Sequence, residues 1–135
     1  MLTGGCQCGA VRYEVSQKPG RVYCCHCTEC RAQSASAFGI SVIVAPDSVR
    51  LTAGHTKVWR RPTAAGKILA CAFCPDCGTR LWHVNEPPGP EMSIKGGSLD
   101  QPVDLTDAFH IWTDSALPGV CIPPGARRFA QEPDV

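Results

Sequence analysis

The stretch Cys71-Ala72-Phe73-Cys74-Pro75-Asp76-Cys77-Gly78 decides how this chain folds. Two thiols separated by two residues can reach one ion when the backbone turns tightly between them. Pro75 preorganises such a turn, and Gly78 tolerates the positive φ with which it closes. Backbone amides inside the turn can donate to the sulfurs and stabilise their charge. Cys74 and Cys77 therefore read as a zinc knuckle; the competing reading is two buried thiols at a turn.

Working outward, Cys6-Gln7-Cys8 has the i, i+2 spacing that puts two side chains on one face of an extended strand. With Cys74 and Cys77 it completes a tetrahedral sulfur site. A site of four protein ligands has no open position, so it is structural, and zinc bound there would contribute folding free energy directly. The third cluster is Cys24-Cys25-His26-Cys27-Thr28-Glu29-Cys30. Cys25, Cys27 and Cys30 offer three thiolates within one loop. The fourth position then goes to water, to a substrate thiol, or to a ligand from elsewhere. An open position is what a catalytic zinc requires. Spacing alone equally allows a second closed site completed by Cys24, Cys71, Cys121 or a histidine. Joining Cys27 and Cys30 to Cys74 and Cys77 in one ribbon site would need a far longer spacer than the usual stretch of about 15–20 residues. It would also strand the N-terminal pair. Cys24-x-x-Cys27-x-x-Cys30 and Cys71-x-x-Cys74-x-x-Cys77 echo an iron–sulfur run, but each lacks the fourth cysteine three residues on. No βαβ pattern surrounds any pair as a thioredoxin-like dithiol would require.

Composition sets the frame for these thiols. Ten of 135 residues are cysteine, and 13 glycines and 12 prolines make the chain rich in turns without making it low-complexity. A hydrophobic fraction of 44% with 19% charged residues suits a folded core, and 135 residues suit one domain. We expect that domain over residues 1–130, with a polar tail over 131–135 that frays at Asp134 and Val135. The formal charge of +1 gives no bulk electrostatic reason to bind nucleic acid or an anionic membrane. The longest apolar runs, 40–45 and 68–73, are far too short to span a bilayer. Met1-Leu2-Thr3-Gly4-Gly5-Cys6 lacks the basic start and apolar stretch of a secretory leader. A cytoplasmic location is therefore expected, where thiols stay reduced and clusters of them mean metal or redox chemistry.

The rest of the chain reads as β. Residues 11–15 alternate Val11, Tyr13 and Val15 with Arg12 and Glu14, the pattern of a half-buried strand. Further strand segments are 38–44, 49–51, 57–60, 68–73, 79–84, 91–94 and 109–112. Turn signals separate them at Lys18-Pro19-Gly20, Ala45-Pro46-Asp47, Ala53-Gly54-His55, Asn85 to Pro90 and Gly96-Gly97. A short helix is expected over 28–36. The whole reads as an all-β domain of two short antiparallel sheets.

Gly4-Gly5-Cys6-Gln7-Cys8-Gly9-Ala10-Val11-Arg12-Tyr13, then Cys25-His26-Cys27-Thr28-Glu29-Cys30-Arg31, then Phe73-Cys74-Pro75-Asp76-Cys77-Gly78, taken in that order, resemble the glutathione-dependent formaldehyde-activating (GFA) family. That family shares its domain with centromere protein V. Gly97-Ser98-Leu99-Asp100 and His110-Ile111-Trp112 extend the resemblance over about residues 3–130. It implies a β-tent fold and two zinc ions. The structural zinc would fall on Cys6, Cys8, Cys74 and Cys77. The second, substrate-side zinc would fall on Cys25, Cys27 and Cys30, which favours the open reading and makes those three residues the catalytic set. The implied activity is that of a carbon–sulfur lyase acting on glutathione–formaldehyde adducts, with a small thiol such as glutathione as partner. Three thiolates on a divalent ion leave a net charge of −1, which weakens carbonyl polarisation and favours capture of the substrate thiol. The alternative from another class is a non-enzymatic zinc module that binds a protein or a small thiol.

Two departures from the family pattern stand out. Ala35 occupies a position usually held by glycine, and residues 115–125 lack the usual tryptophan, which points to a different substrate edge. Of the remaining candidates, His26 lies between two ligands and is expected to point away. His110 and Trp112 are expected to share a strand face. His55 reads as a solvated turn residue, and Arg31 as a surface arginine that could attract a substrate carboxylate. Cys24, Cys71 and Cys121 read as small buried hydrophobes. Gly125-Ala126-Arg127-Arg128 is too short for a nucleic-acid patch.

Overall fold

A computed structural model describes residues 1–133, so the fraying expected at Asp134 and Val135 lies outside the described residues. The strands are β1 (Leu2–Gly5), β2 (Arg12–Val15), β3 (Val22–Cys25), β4 (Gly39–Val44), β5 (Val49–Ala53), β6 (Lys57–Pro62), β7 (Ile68–Phe73), β8 (Arg80–Glu86), β9 (Met92–Lys95) and β10 (Phe109–Ile111). One α-helix, α1 (Thr28–Ser34), follows β3, and single turns of 3-10 helix occupy Pro46–Ser48, Gly96–Ser98 and Thr113–Ser115. The mainly β reading holds. The strands form a three-stranded sheet in the order β1-β2-β5 and a seven-stranded sheet in the order β10-β3-β4-β9-β8-β7-β6.

Two details differ from the sequence reading. The large sheet is mixed, because β10 runs parallel to β3. Parallel neighbours need a long crossover, and a local hydrophobic pattern does not disclose a partner so distant in sequence. Strands β1 and β3 carry no period-2 signal: β1 holds two glycines, and the Val-Tyr-Cys-Cys of β3 reads first as thiols. The strands flanking Ala53-Gly54-His55 do not pair with each other. β5 pairs with β2 and β6 with β7, so that turn carries the chain from one sheet to the other.

Alternation along the strands gives the large sheet two different faces. Val42 and Val44 of β4, Met92 and Ile94 of β9 and Trp82 of β8 point toward the small sheet. There they meet Val11, Tyr13, Val15 and Leu81 in one apolar cluster. Side chains of this size each stabilise by about 1.5–3 kcal/mol when fully buried. Tyr13 packs edge-on against Trp82 at 5.4 Å, and its buried hydroxyl meets the Ser98 Oγ at 2.6 Å, so the only polar atom it carries inward is satisfied. The opposite face takes the odd-numbered residues, except at the start of β8, where the register shift against β7 puts Leu81 in the core and Arg80 on the opposite side. Registers Tyr23↔Ser41, Ser41↔Lys95, Ser93↔His83 and His83↔Cys71 set a row of polar groups across five adjacent strands. Helix α1 packs on that face, against β4. It approaches β4 closely because Gly39 has no side chain: a Cβ there would come within 2.9 Å of the Gln33 amide and 3.3 Å of the Cys30 Cβ.

Candidate metal centres and substrate cavity

Cys6 and Cys8 lie in the turn between β1 and β2, not on a strand face as their spacing suggested. Local hydrogen bonds explain this. The Cys6 amide donates to the Val11 carbonyl and the Gly9 amide to the Cys6 carbonyl, closing a knuckle that leaves the Val11 amide 3.2 Å from the Cys6 sulfur. The second knuckle follows β7. Gly78, with φ +81°, donates to the Cys74 carbonyl, and the amides of Asp76 and Cys77 point at the Cys74 sulfur at 3.4 and 3.5 Å. Thr79 links the two turns: its Oγ1 accepts from the Gln7 amide at 3.1 Å and lies 3.2 Å from the Cys77 sulfur. That hydroxyl and the Thr79 backbone hold the Cys77 thiol down at about 5.

All four sulfurs lie within 4.8 Å of one another. Cys6 and Cys8 are separated by 3.6 Å and Cys8 and Cys74 by 3.8 Å. Zinc–sulfur bonds of about 2.3 Å in a tetrahedron place sulfurs about 3.8 Å apart. Spacing and amide donors together fit a closed four-thiolate ion site.

Cys25, Cys27 and Cys30 form the second cluster, again with sulfurs within 4.8 Å. Cys25 ends β3, Cys27 caps α1, and Cys30 sits in its first turn. The Cys27 sulfur accepts from the Cys30 amide at 3.3 Å and lies 3.3 Å from the Cys25 sulfur. The thiols of Cys25 and Cys30, with backbone amides at the helix start, lower the pKa of Cys27, so the first negative charge settles there. Among the described residues no fourth cysteine, histidine or carboxylate joins the cluster within that distance. The donor set suits zinc, and three protein ligands would leave a fourth position of a tetrahedral ion free.

The other candidates are placed as follows. His26 is fully buried with its Nε2 2.9 Å from His110 Nδ1, pointing away from the sulfurs. Burial, then the charge of His110, lowers its pKa, and burial likewise lowers that of His110. Trp112 does not share a face with His110. β10 stops at Ile111, and Trp112 takes a left-handed φ of 56°, which swings its indole out to donate to Glu132 at 2.8 Å. Cys24 and Cys71 are buried as expected, whereas Cys121 is exposed. His55 is exposed in its turn, and Arg31 is half-buried in the middle of α1.

The three-sulfur cluster opens into a cavity of about 770 Å³ on the polar face of the large sheet. Tyr23, Arg61, His83, Ser93 and Trp112 are among its walls. Burial raises the pKa of Tyr23. Burial and the nearby charges of Lys95, Arg61 and Arg80 push His83 down to about 3, so it is a neutral imidazole at working pH. Apart from Trp112, which lies in the His110-Ile111-Trp112 stretch, none of these residues carries a local sequence signal. They converge only through strand register.

Fold and clusters together define a two-sheet β protein with two cysteine sites that could hold metal ions, one closed and one facing a cavity. The family model described as glutathione-dependent formaldehyde-activating enzyme matches residues 1–115. The chain belongs to that family. A Halomonas elongata protein, provisionally named a glutathione-dependent formaldehyde-activating enzyme, is 33% identical over 100 residues. That match covers 68% of this chain and 60% of the relative, so the chain spans about three fifths of the relative's length. A crystal structure of a Rhodobacter sphaeroides protein superposes with a TM-score of 0.62 at 24% identity, over 80% of this chain and 98% of the other, and shows the same fold.

Proposed function

We propose that this protein is a zinc-dependent carbon–sulfur lyase-like enzyme that makes or breaks adducts between a small thiol, such as glutathione, and formaldehyde. The observation that carries the proposal is the three-sulfur cluster on the wall of a cavity large enough for a peptide-sized thiol. In this reading residues 1–130 act as one GFA-type domain in the cytoplasm with two zinc ions. Cys6, Cys8, Cys74 and Cys77 hold the structural zinc. Cys25, Cys27 and Cys30 hold the second and form the catalytic set. Bound by three thiolates, zinc would supply an open position at which a substrate thiol is held ionised near neutral pH.

The chain's own groups do the rest. Cys25, Cys27 and Cys30 bring one charge more than a divalent ion cancels, which disfavours polarising a carbonyl and leaves orientation of the thiolate as the main contribution. In the forward direction the sulfur–carbon bond forms as the carbonyl π bond breaks, and the proton lost from the thiol ends on the new hydroxyl oxygen. The protonated Tyr23 lines the cavity and can donate to the developing oxygen, while the neutral His83 beside it offers a hydrogen bond without taking the proton.

The test uses Cys27→Ser protein. It should retain one zinc per chain and lose zinc-dependent glutathione binding, measured calorimetrically beside wild type. Unchanged binding would refute the proposal. Thiols also add to formaldehyde without help, so the wild-type rate of adduct formation must exceed the spontaneous rate. Binding without acceleration would favour the alternative, a non-enzymatic thiol-binding zinc module.

A further inference from the structure

On the far side of Cys30 lies a second, smaller cavity of about 230 Å³. Cys30, Glu29, Arg61 and His83 line both cavities, so the two spaces meet at the three-sulfur site. The charged residues around the smaller one are Arg61, Arg80 and Lys95, opposed by a single carboxylate, Glu29. The three cations come from separate strands, β6, β8 and β9, and register alone gathers them.

Their partners do not balance them. The Arg61 Nε lies 3.3 Å from a Glu29 carboxylate oxygen but does not meet hydrogen-bond geometry with it, and no other partner takes that buried N–H. Among the described residues Lys95 and Arg80 form no ion pair; Arg80 instead stacks over the Trp59 ring at 5.4 Å. Holding cations in a cavity costs desolvation energy that a counter-charge must offset. Glu29 cancels one charge, and the surplus negative charge of a zinc-loaded three-sulfur site cancels a second. One positive charge remains as long as no thiolate occupies the zinc. That remainder suits a singly charged carboxylate, whose two oxygens match the fork of an arginine, better than a phosphate of nearly two charges.

We propose that Arg61, Arg80 and Lys95 bind a carboxylate of the substrate beside Cys30, and so restrict the site to acidic thiol adducts. The proposal deepens the thiol–zinc reading, and rests on it only for the sulfur end of the substrate. The carboxylate could come from the thiol itself or from an aldehyde acid that takes the place of formaldehyde.

Acetate tests it, with acetamide as the neutral twin, both titrated into zinc-loaded protein and followed by calorimetry and by amide chemical shifts around Lys95. Acetate should bind saturably while acetamide does not. Lys95→Met and Arg80→Gln should each weaken acetate at least about tenfold at unchanged zinc content. Two variants keep the test decisive if one fails to fold. Equal response to the two probes, or unchanged acetate affinity in the folded variants, would overturn the proposal. Repeating the titration with saturating glutathione separates the two sources: competition assigns the cavity to the thiol's carboxylate, and simultaneous binding to that of a carbonyl co-substrate. Acetate needs no thiol coordination, so its binding would persist even if zinc-dependent glutathione binding failed.

Discussion

His83 shows how one residue takes its chemistry from its neighbours. On a flexible chain its imidazole titrates near 6.5. In the fold, burial and the charges of Lys95, Arg61 and Arg80 push it down to about 3. Between these two values the unfolded chain binds a proton that the folded chain refuses. Stability therefore falls as the pH drops below about 6.5, and the contribution is constant above it. Full expression of one such group amounts to about 1.4 kcal/mol per pH unit. His83→Gln should lose about 1 kcal/mol less than wild type between pH 6 and pH 5. Urea unfolding at matched zinc content reads this directly. Parallel losses in the two proteins would mean that acid acts elsewhere, on the thiol clusters or on the buried pair of His26 and His110.

At the scale of elements, α1 is the piece whose ends matter most. Its start is a ligand: the Cys27 sulfur takes the capping bond from the Cys30 amide, so binding a metal and starting the helix use the same atom. Its end is Ala35, in the left-handed region at φ 50°. An L residue with a Cβ costs about 1–2 kcal/mol there, a cost that glycine at this position would avoid. Glycine loses some of that gain to its freer unfolded state. Ala35→Gly should therefore raise stability by about 0.5–1 kcal/mol, read as a higher urea midpoint with an unchanged m-value; a lower midpoint would show that the loop leaves the left-handed region without cost. The same helix marks how far sequence reading reaches. Cys25, Cys27 and Cys30 were legible because ligand spacing is local, as were the β-branched or alternating strands β2, β4 and β7. β1 and β3 were not, since glycines and thiols blur the alternation that a strand needs in order to be seen. Lys95, Arg61 and His83 had no chance of being read. Each is an ordinary strand residue until register sets it beside Cys30. The strand expected to reach Trp112 failed for a related reason, because a single left-handed residue reverses which side its side chain takes.

At the scale of the molecule, the ten cysteines divide by what the fold does with them. The four-sulfur cluster joins the β1–β2 turn of the small sheet to the β7–β8 turn of the large one, so a metal there clamps the two sheets at one end of the shared core. Zinc bound only in the folded state adds its binding free energy to folding, and a chelator strong enough to strip that site should unfold the chain. The three-sulfur cluster ties a strand end to a short helix within one sheet, and losing its ion should leave the core standing. Thiol titration separates the pools. With both sites loaded, seven sulfurs are held as ligands and three remain: Cys24 and Cys71 buried, Cys121 exposed. A thiol reagent should find one fast group on the native protein, lost in Cys121→Ser. Mild chelation should release one zinc and expose three more thiols while far-UV circular dichroism holds. Strong chelation should release the second zinc, unfold the chain, and bring the count to ten. Three fast groups before any chelation would mean that Cys24 and Cys71 are reached in the native fold. Release of both ions in one step with loss of structure would mean that the three-sulfur site supports the core as much as the four-sulfur site does.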